Sequence, residues 1–89
     1  MKITDDVFSK AIEIARRFGA KRFLVFGSAI NSAREARDID FACEGVLGWK
    51  LFQFGAALEE ALKMPVDLVS LDEHTDFGRM VESLGRRLL

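Results

Sequence analysis

Two aspartates, Asp38 and Asp40, stand two positions apart in the run Asp38-Ile39-Asp40-Phe41-Ala42-Cys43. Residues two apart on a strand share a face, so the carboxylates would project together, roughly 6.5–7 Å apart along the backbone, and could converge on one ion. Two like charges so placed call for a cation. Mg²⁺ suits an open pair of this kind, since it takes a few carboxylates and keeps positions for water and phosphate oxygens. A third acid, Asp67, is the sole charged residue of the run Val66-Asp67-Leu68-Val69-Ser70-Leu71, where burial without a partner would cost it heavily. Asp38, Asp40 and Asp67 are therefore the candidate catalytic and metal-binding residues. Upstream, Val25-Phe26-Gly27-Ser28 closes an apolar run. Gly27 has no side chain to hold a phosphate away from the backbone, and Ser28 offers an N–H and a hydroxyl to an anion.

The elements that must position these residues follow from periodicity. From Asp5 to Phe18 the apolar positions Val7, Phe8, Ala11, Ile12, Ile14, Ala15 and Phe18 recur at helical spacing, with acids first, Arg16 and Arg17 last, and Gly19 as the stop. Phe23 to Phe26 reads as a short buried strand, delivering Gly27 and Ser28 to its tip. Ala29 to Arg37 reads as a connector holding one helical turn. Ile39, Phe41 and Cys43 then alternate with Asp38, Asp40 and Ala42 in strand fashion. After a Gly45–Gly48 loop, a helix over Trp49 to Lys63 is stopped by Pro65, and Val66 to Leu71 is a third strand. Thr75 can cap a last helix in which Phe77, Met80, Val81, Leu84 and Leu88 share a face, Gly78 and Gly85 each costing about 1 kcal/mol there. The expected fold is a small α/β (α+β) sandwich with one mixed, three-stranded sheet flanked by helices. The link between the first two strands is too short for a comfortable crossover, so they should pair antiparallel, with Ser28 and Asp38 at neighbouring strand ends.

Composition narrows the class. At 89 residues the chain is expected to be one domain over its whole length, 1–89. With 49% hydrophobic and 30% charged residues it reads as a soluble globular protein. Its net charge of -1 provides no field for duplex nucleic acid, so phosphate contacts must be local. A single cysteine, no zinc-like Cys/His cluster, no secretory start and no apolar membrane span favour the cytoplasm.

Taken together, Gly27-Ser28, a nine-residue spacer, Asp38-Ile39-Asp40 and a third carboxylate at Asp67 resemble the DNA polymerase β-type nucleotidyltransferase superfamily. The resemblance runs from Phe23 to about Leu71 and is closest to the minimal nucleotidyltransferases, single-domain proteins often paired as antitoxins with a small helical HEPN toxin. It implies a nucleotidyltransferase fold and transfer of AMP from ATP onto a tyrosine of the partner. It further implies that Asp38 and Asp40 coordinate two Mg²⁺ ions, that Asp67 shares the ion activating the acceptor hydroxyl, and that Gly27 and Ser28 hold the β- and γ-phosphates before pyrophosphate leaves. Minimal members commonly carry a basic residue after Gly-Ser and a serine before Asp-x-Asp. Ala29 and Arg37 stand there instead. Arg34 and Arg37 are candidates for the missing positive charge, against a plainer reading as solvated connector side chains.

Other residues have plainer readings. His74 lies in a polar turn, Cys43 shares the inward parity of Ile39 and Phe41, and Glu59, Glu60, Arg86 and Arg87 sit on solvent faces of helices. Phe8, Phe18, Phe52, Phe54 and Phe77 follow helical stripes and are expected in the core rather than as a stacking platform. Trp49 admits two readings, a helix-start side chain folded onto the core or an apolar anchor for a partner. Two functions compete. One is an active Mg²⁺- and ATP-dependent adenylyltransferase in a hetero-oligomer with a HEPN-type toxin; the other is a weak or inactive module that neutralises the partner by association.

Overall fold

In the computed structural model, which describes residues 5–27 and 38–89, three helices pack on a four-stranded sheet. In chain order the elements are α1 (Asp5–Arg17), β1 (Arg22–Phe26), β2 (Ile39–Glu44), α2 (Trp49–Leu62), β3 (Val66–Ser70), α3 (Asp76–Leu84) and β4 (Arg86–Arg87). The sheet order is β3-β2-β1-β4, with β1 antiparallel to β2 and β4, and β2 parallel to β3. The antiparallel pairing expected of β1 and β2 is therefore observed. The parallel partner, β3, is reached through α2.

Alternation along the strands divides the core. Phe23 and Val25 of β1 and Ile39, Phe41 and Cys43 of β2 face α1 and α2, meeting Phe8, Ala11, Ile14, Phe54 and Leu58. Rings of Phe23, Phe41 and Phe54 pack at 4.7 and 5.5 Å between centroids. Cys43 is a buried thiol, as its parity predicts, and burial first, with the Asp72 charge second, pushes its pKa up to about 12. The opposite face carries a smaller cluster of Leu24, Ala42, Leu71 and Val81 beneath α3, with Phe26 and Val69 against it. Arg22 ties the start of β1 to Glu44 of β2 and Glu82 of α3, each at 3.3 Å.

The C-terminal region departs from the expectation. Thr75 does cap α3, its hydroxyl accepting from the Gly78 N–H at 3.0 Å. The helix ends at Leu84, however, and Arg86 and Arg87 form a fourth strand on β1, so the sheet is not three-stranded and neither arginine lies on a helix. Leu88 is likewise not on the helical face, because its N–H donates to the Phe23 carbonyl. Gly85 is the reason for the exit. A Cβ there would lie 2.7 Å from the Val81 carbonyl oxygen and 3.2 Å from that of Val25, so only glycine lets the chain turn tightly out of the helix and onto the sheet. The apolar stripe is also not all core, since Phe52, Phe77, Met80 and Leu84 are exposed. No helix among the described residues is long and apolar enough to cross a membrane.

Candidate active site

The parallel register sets Asp40 directly beside Asp67. Register partners point to the same side of a sheet, on strands about 4.8 Å apart. Asp38 precedes β2 by one residue, and strand parity gives it the same side as Asp40. That side is the α3 side, because Ile39 and Phe41 point the other way, into the core under α1 and α2. Three carboxylates thus gather at one end of the sheet, where Asp38 and Asp67 are exposed and Asp40 is half-buried.

Asp67 corrects one step of the sequence argument. It was expected to be costly in a buried strand, but β3 is an edge strand and Asp67 is solvent-exposed. What singles it out is its place opposite Asp40. Asp40 is the strained member. Burial is the largest cause that raises its pKa above the ordinary aspartate value, followed by the charges of Asp38 and Asp67 and a hydrogen bond with the Asp67 carboxyl.

Gly27 follows β1, and the antiparallel register places its neighbour Phe26 opposite Asp40. The backbone at Gly27 has φ +71°, and a Cβ there would stand 2.5 Å from Oδ2 of Asp40. The glycine therefore makes room for the carboxylate, a role the sequence reading did not assign alongside its approach to phosphate. Ser28, Arg34 and Arg37, the other candidate phosphate contacts, lie outside the described residues, as does the connector from Ala29 to Arg37.

Among the described residues, no three His, Cys, Asp or Glu side chains close on a common point as metal ligands. The aspartates share a corner of the sheet without forming a preset cage. The donor set still fits Mg²⁺, a hard ion that accepts few protein carboxylates and keeps its waters, and the raised proton affinity of Asp40 marks a place where positive charge is favoured. Beside this corner lies a feature that the sequence reading put in the core. Phe77, in the first turn of α3, meets Phe26 edge to face with centroids 6.2 Å apart. The one available signal was the alternation of β1, which gives Phe26 the side opposite Phe23 and Val25.

No protein-family model and no curated protein matches the sequence. Solved structures do match in fold. A candidate minimal nucleotidyltransferase superposes with a TM-score of 0.75 at 27% identity, over 91% of this chain and 88% of that one. The chain has the minimal nucleotidyltransferase fold. Two further chains with this fold come from toxin–antitoxin complexes. One, solved with AMP-PNP, gives a TM-score of 0.78 at 24% identity, covering 92% of this chain and 72% of the other. The second is a complex of a tri-AMPylated Shewanella oneidensis HEPN toxin with its MNT antitoxin, at a TM-score of 0.77 and 23% identity, covering 96% and 71%. The strand register described above is thus set within a nucleotidyltransferase scaffold, with Asp38, Asp40 and Asp67 at one end of its sheet.

Proposed function

We propose that the chain is a Mg²⁺-dependent nucleotidyltransferase that moves AMP from ATP onto a hydroxyl of a helical partner, a HEPN-type toxin for which it acts as antitoxin. The observation that carries this reading is the register of Asp40 against Asp67, with Asp38 on the same side, on a minimal nucleotidyltransferase fold. The nucleotide and the partner are supported by neighbours solved with AMP-PNP and with an AMPylated toxin.

In this reading Asp38, Asp40 and Asp67 hold Mg²⁺, which when bound lowers the pKa of the acceptor hydroxyl and balances phosphate charge. The chain's own contribution is placement. Asp40 and Asp67 stand on paired strands, whose ladder holds them more firmly than a loop would. Gly27 keeps the space beside Asp40 clear and lets phosphate oxygens approach the backbone, with Ser28, Arg34 and Arg37 as further phosphate contacts. The acceptor oxygen attacks the α-phosphorus, the bond to the bridging oxygen breaks, and pyrophosphate leaves while the hydroxyl proton passes to water.

The test is incubation with α-labelled ATP, Mg²⁺ and the copurifying helical partner. Label should appear on the partner and fall at least about 100-fold in Asp38→Asn/Asp40→Asn, as expected for loss of a preorganised electrostatic contact. Partner binding without transfer from any NTP would replace this reading with the non-catalytic one. That alternative has its own support in the exposed Leu47, Trp49 and Phe52, which could anchor a partner without chemistry.

A further inference from the structure

Phe77 belongs by spacing to the buried stripe of α3, yet it is 48% exposed. Its ring meets that of Phe26 in a T-shaped contact, at an interplanar angle of 77°. Phe26 is the register partner of Asp40, and Asp40 that of Asp67. Phe77 is thus linked through Phe26 to the strand positions that carry the carboxylates.

Helical geometry shows which way this part of α3 looks. Gly78 and Val81 are buried against the sheet. Glu82 bonds Arg22, the first residue of β1, whereas Phe77 meets Phe26, the last. Residues five apart lie well separated round a helix. The Glu82 flank thus overlooks one end of β1, and the Phe77 flank overlooks the end that carries the aspartates. Leu84, seven residues on from Phe77, extends the same flank and is 68% exposed. The result is a corner with carboxylates on its floor and an apolar wall beside them.

We propose that Phe77 is the platform on which the base of the nucleotide stacks. This rests on the nucleotide-transfer reading above. The Phe77 ring stands 6.2 Å from that of Phe26, which the register sets beside Asp40 on the same side of the sheet, so a nucleotide whose phosphates lie at the carboxylates would meet this wall with its base. The near-perpendicular contact with Phe26 orients the Phe77 ring, and its 48% exposure leaves aromatic surface available for stacking. Stacking tolerates any base, so Phe77 contributes affinity for the nucleoside rather than a choice among bases.

The test compares two probes on the full chain with Mg²⁺ present: ATP and inorganic triphosphate, which has the phosphates but no base. Phe77→Ala should weaken ATP binding by about 5- to 150-fold and leave triphosphate binding unchanged, and Phe77→Tyr should restore ATP. Several results would overturn the assignment: ATP binding unchanged in Phe77→Ala, both probes weakened alike, or a wild type that holds ATP no better than triphosphate. In the first and last of these the transfer reading stands and only Phe77 loses its role. A wild type that binds neither probe overturns both. Unchanged ATP binding together with weakened partner binding would assign the flank to the partner instead.

Discussion

Asp40 is held where its own ionisation is disfavoured, and this has a measurable consequence. Burial and two neighbouring carboxylates raise its pKa in the folded chain above the unfolded value. Such an acid binds more protons folded than unfolded, so its contribution to stability is full below the usual aspartate value of about 3.9 and is lost as pH rises through the folded pKa. Asp40→Asn removes that penalty. The variant should melt at a higher temperature than the wild type at neutral pH in metal-free buffer, with the difference closing as pH falls into the carboxylate range. Scanning calorimetry across pH tests this, and a variant that melts lower at neutral pH contradicts it. Function and stability would then oppose each other at this residue. Gly27 acts on the same carboxylate by leaving space. Gly27→Ala places a Cβ against Asp40 Oδ2 at a positive φ, a conformation that costs an L-residue about 1–2 kcal/mol. A lower melting temperature and a loss of transfer on the order of 100-fold are expected, and an unchanged transfer rate would show that the position of Asp40 is not critical.

At the scale of elements, α3 carries more than its length suggests. It has only nine residues, too few to be stable alone, and it depends on its cap and on what it packs against. It covers the cluster of Leu24, Ala42 and Leu71 on one sheet face, supplies Phe77 near the aspartates and leads through Gly85 into β4. Thr75→Ala removes the hydroxyl that accepts from the Gly78 N–H, which should cost about 1 kcal/mol. In urea the midpoint should drop with the slope unchanged, and an unmoved midpoint would show the cap to be idle. The edge position of β3 has the opposite character. With one neighbour strand, it leaves the Asp67 carboxylate exposed.

Across the molecule, the large apolar side chains among the described residues divide between the core and two exposed groups. One is the α3 flank. The other is Leu47, Trp49 and Phe52, which are 63%, 80% and 74% exposed, with the Trp49 and Phe52 rings 5.8 Å apart. Of the two readings open for Trp49, the exposed anchor is the one this arrangement favours, since large paired aromatics on a surface suit a partner. Trp49→Ala should weaken association with the proposed helical partner by about 2 kcal/mol or more, near 30-fold in Kd, without lowering the melting temperature. Titration of the partner into each protein decides it, and equal affinity removes the patch from the interface.

Local rules settle a good part of this molecule. The 3.6-residue period sets α1 and α2, the two-residue period aims Asp38 and Asp40 together, and the short link between β1 and β2 dictates their antiparallel pairing. The Thr75 cap belongs here too, because each of these depends on residues close in the chain. Contacts between distant segments decided the rest. The register that sets Asp67 beside Asp40 joins strands separated by a helix, and nothing local to Val66–Ser70 specifies it. Strand β4 exists only because the chain after Gly85 finds the free edge of β1. Periodicity marks Phe52, Phe77, Met80 and Leu84 as apolar positions of helices, but burial requires an opposing surface, and the fold leaves all four exposed. The aspartates could be picked out from their types and spacing. Their arrangement as one corner, cleared by Gly27 and walled by Phe77, is a property of the folded sheet.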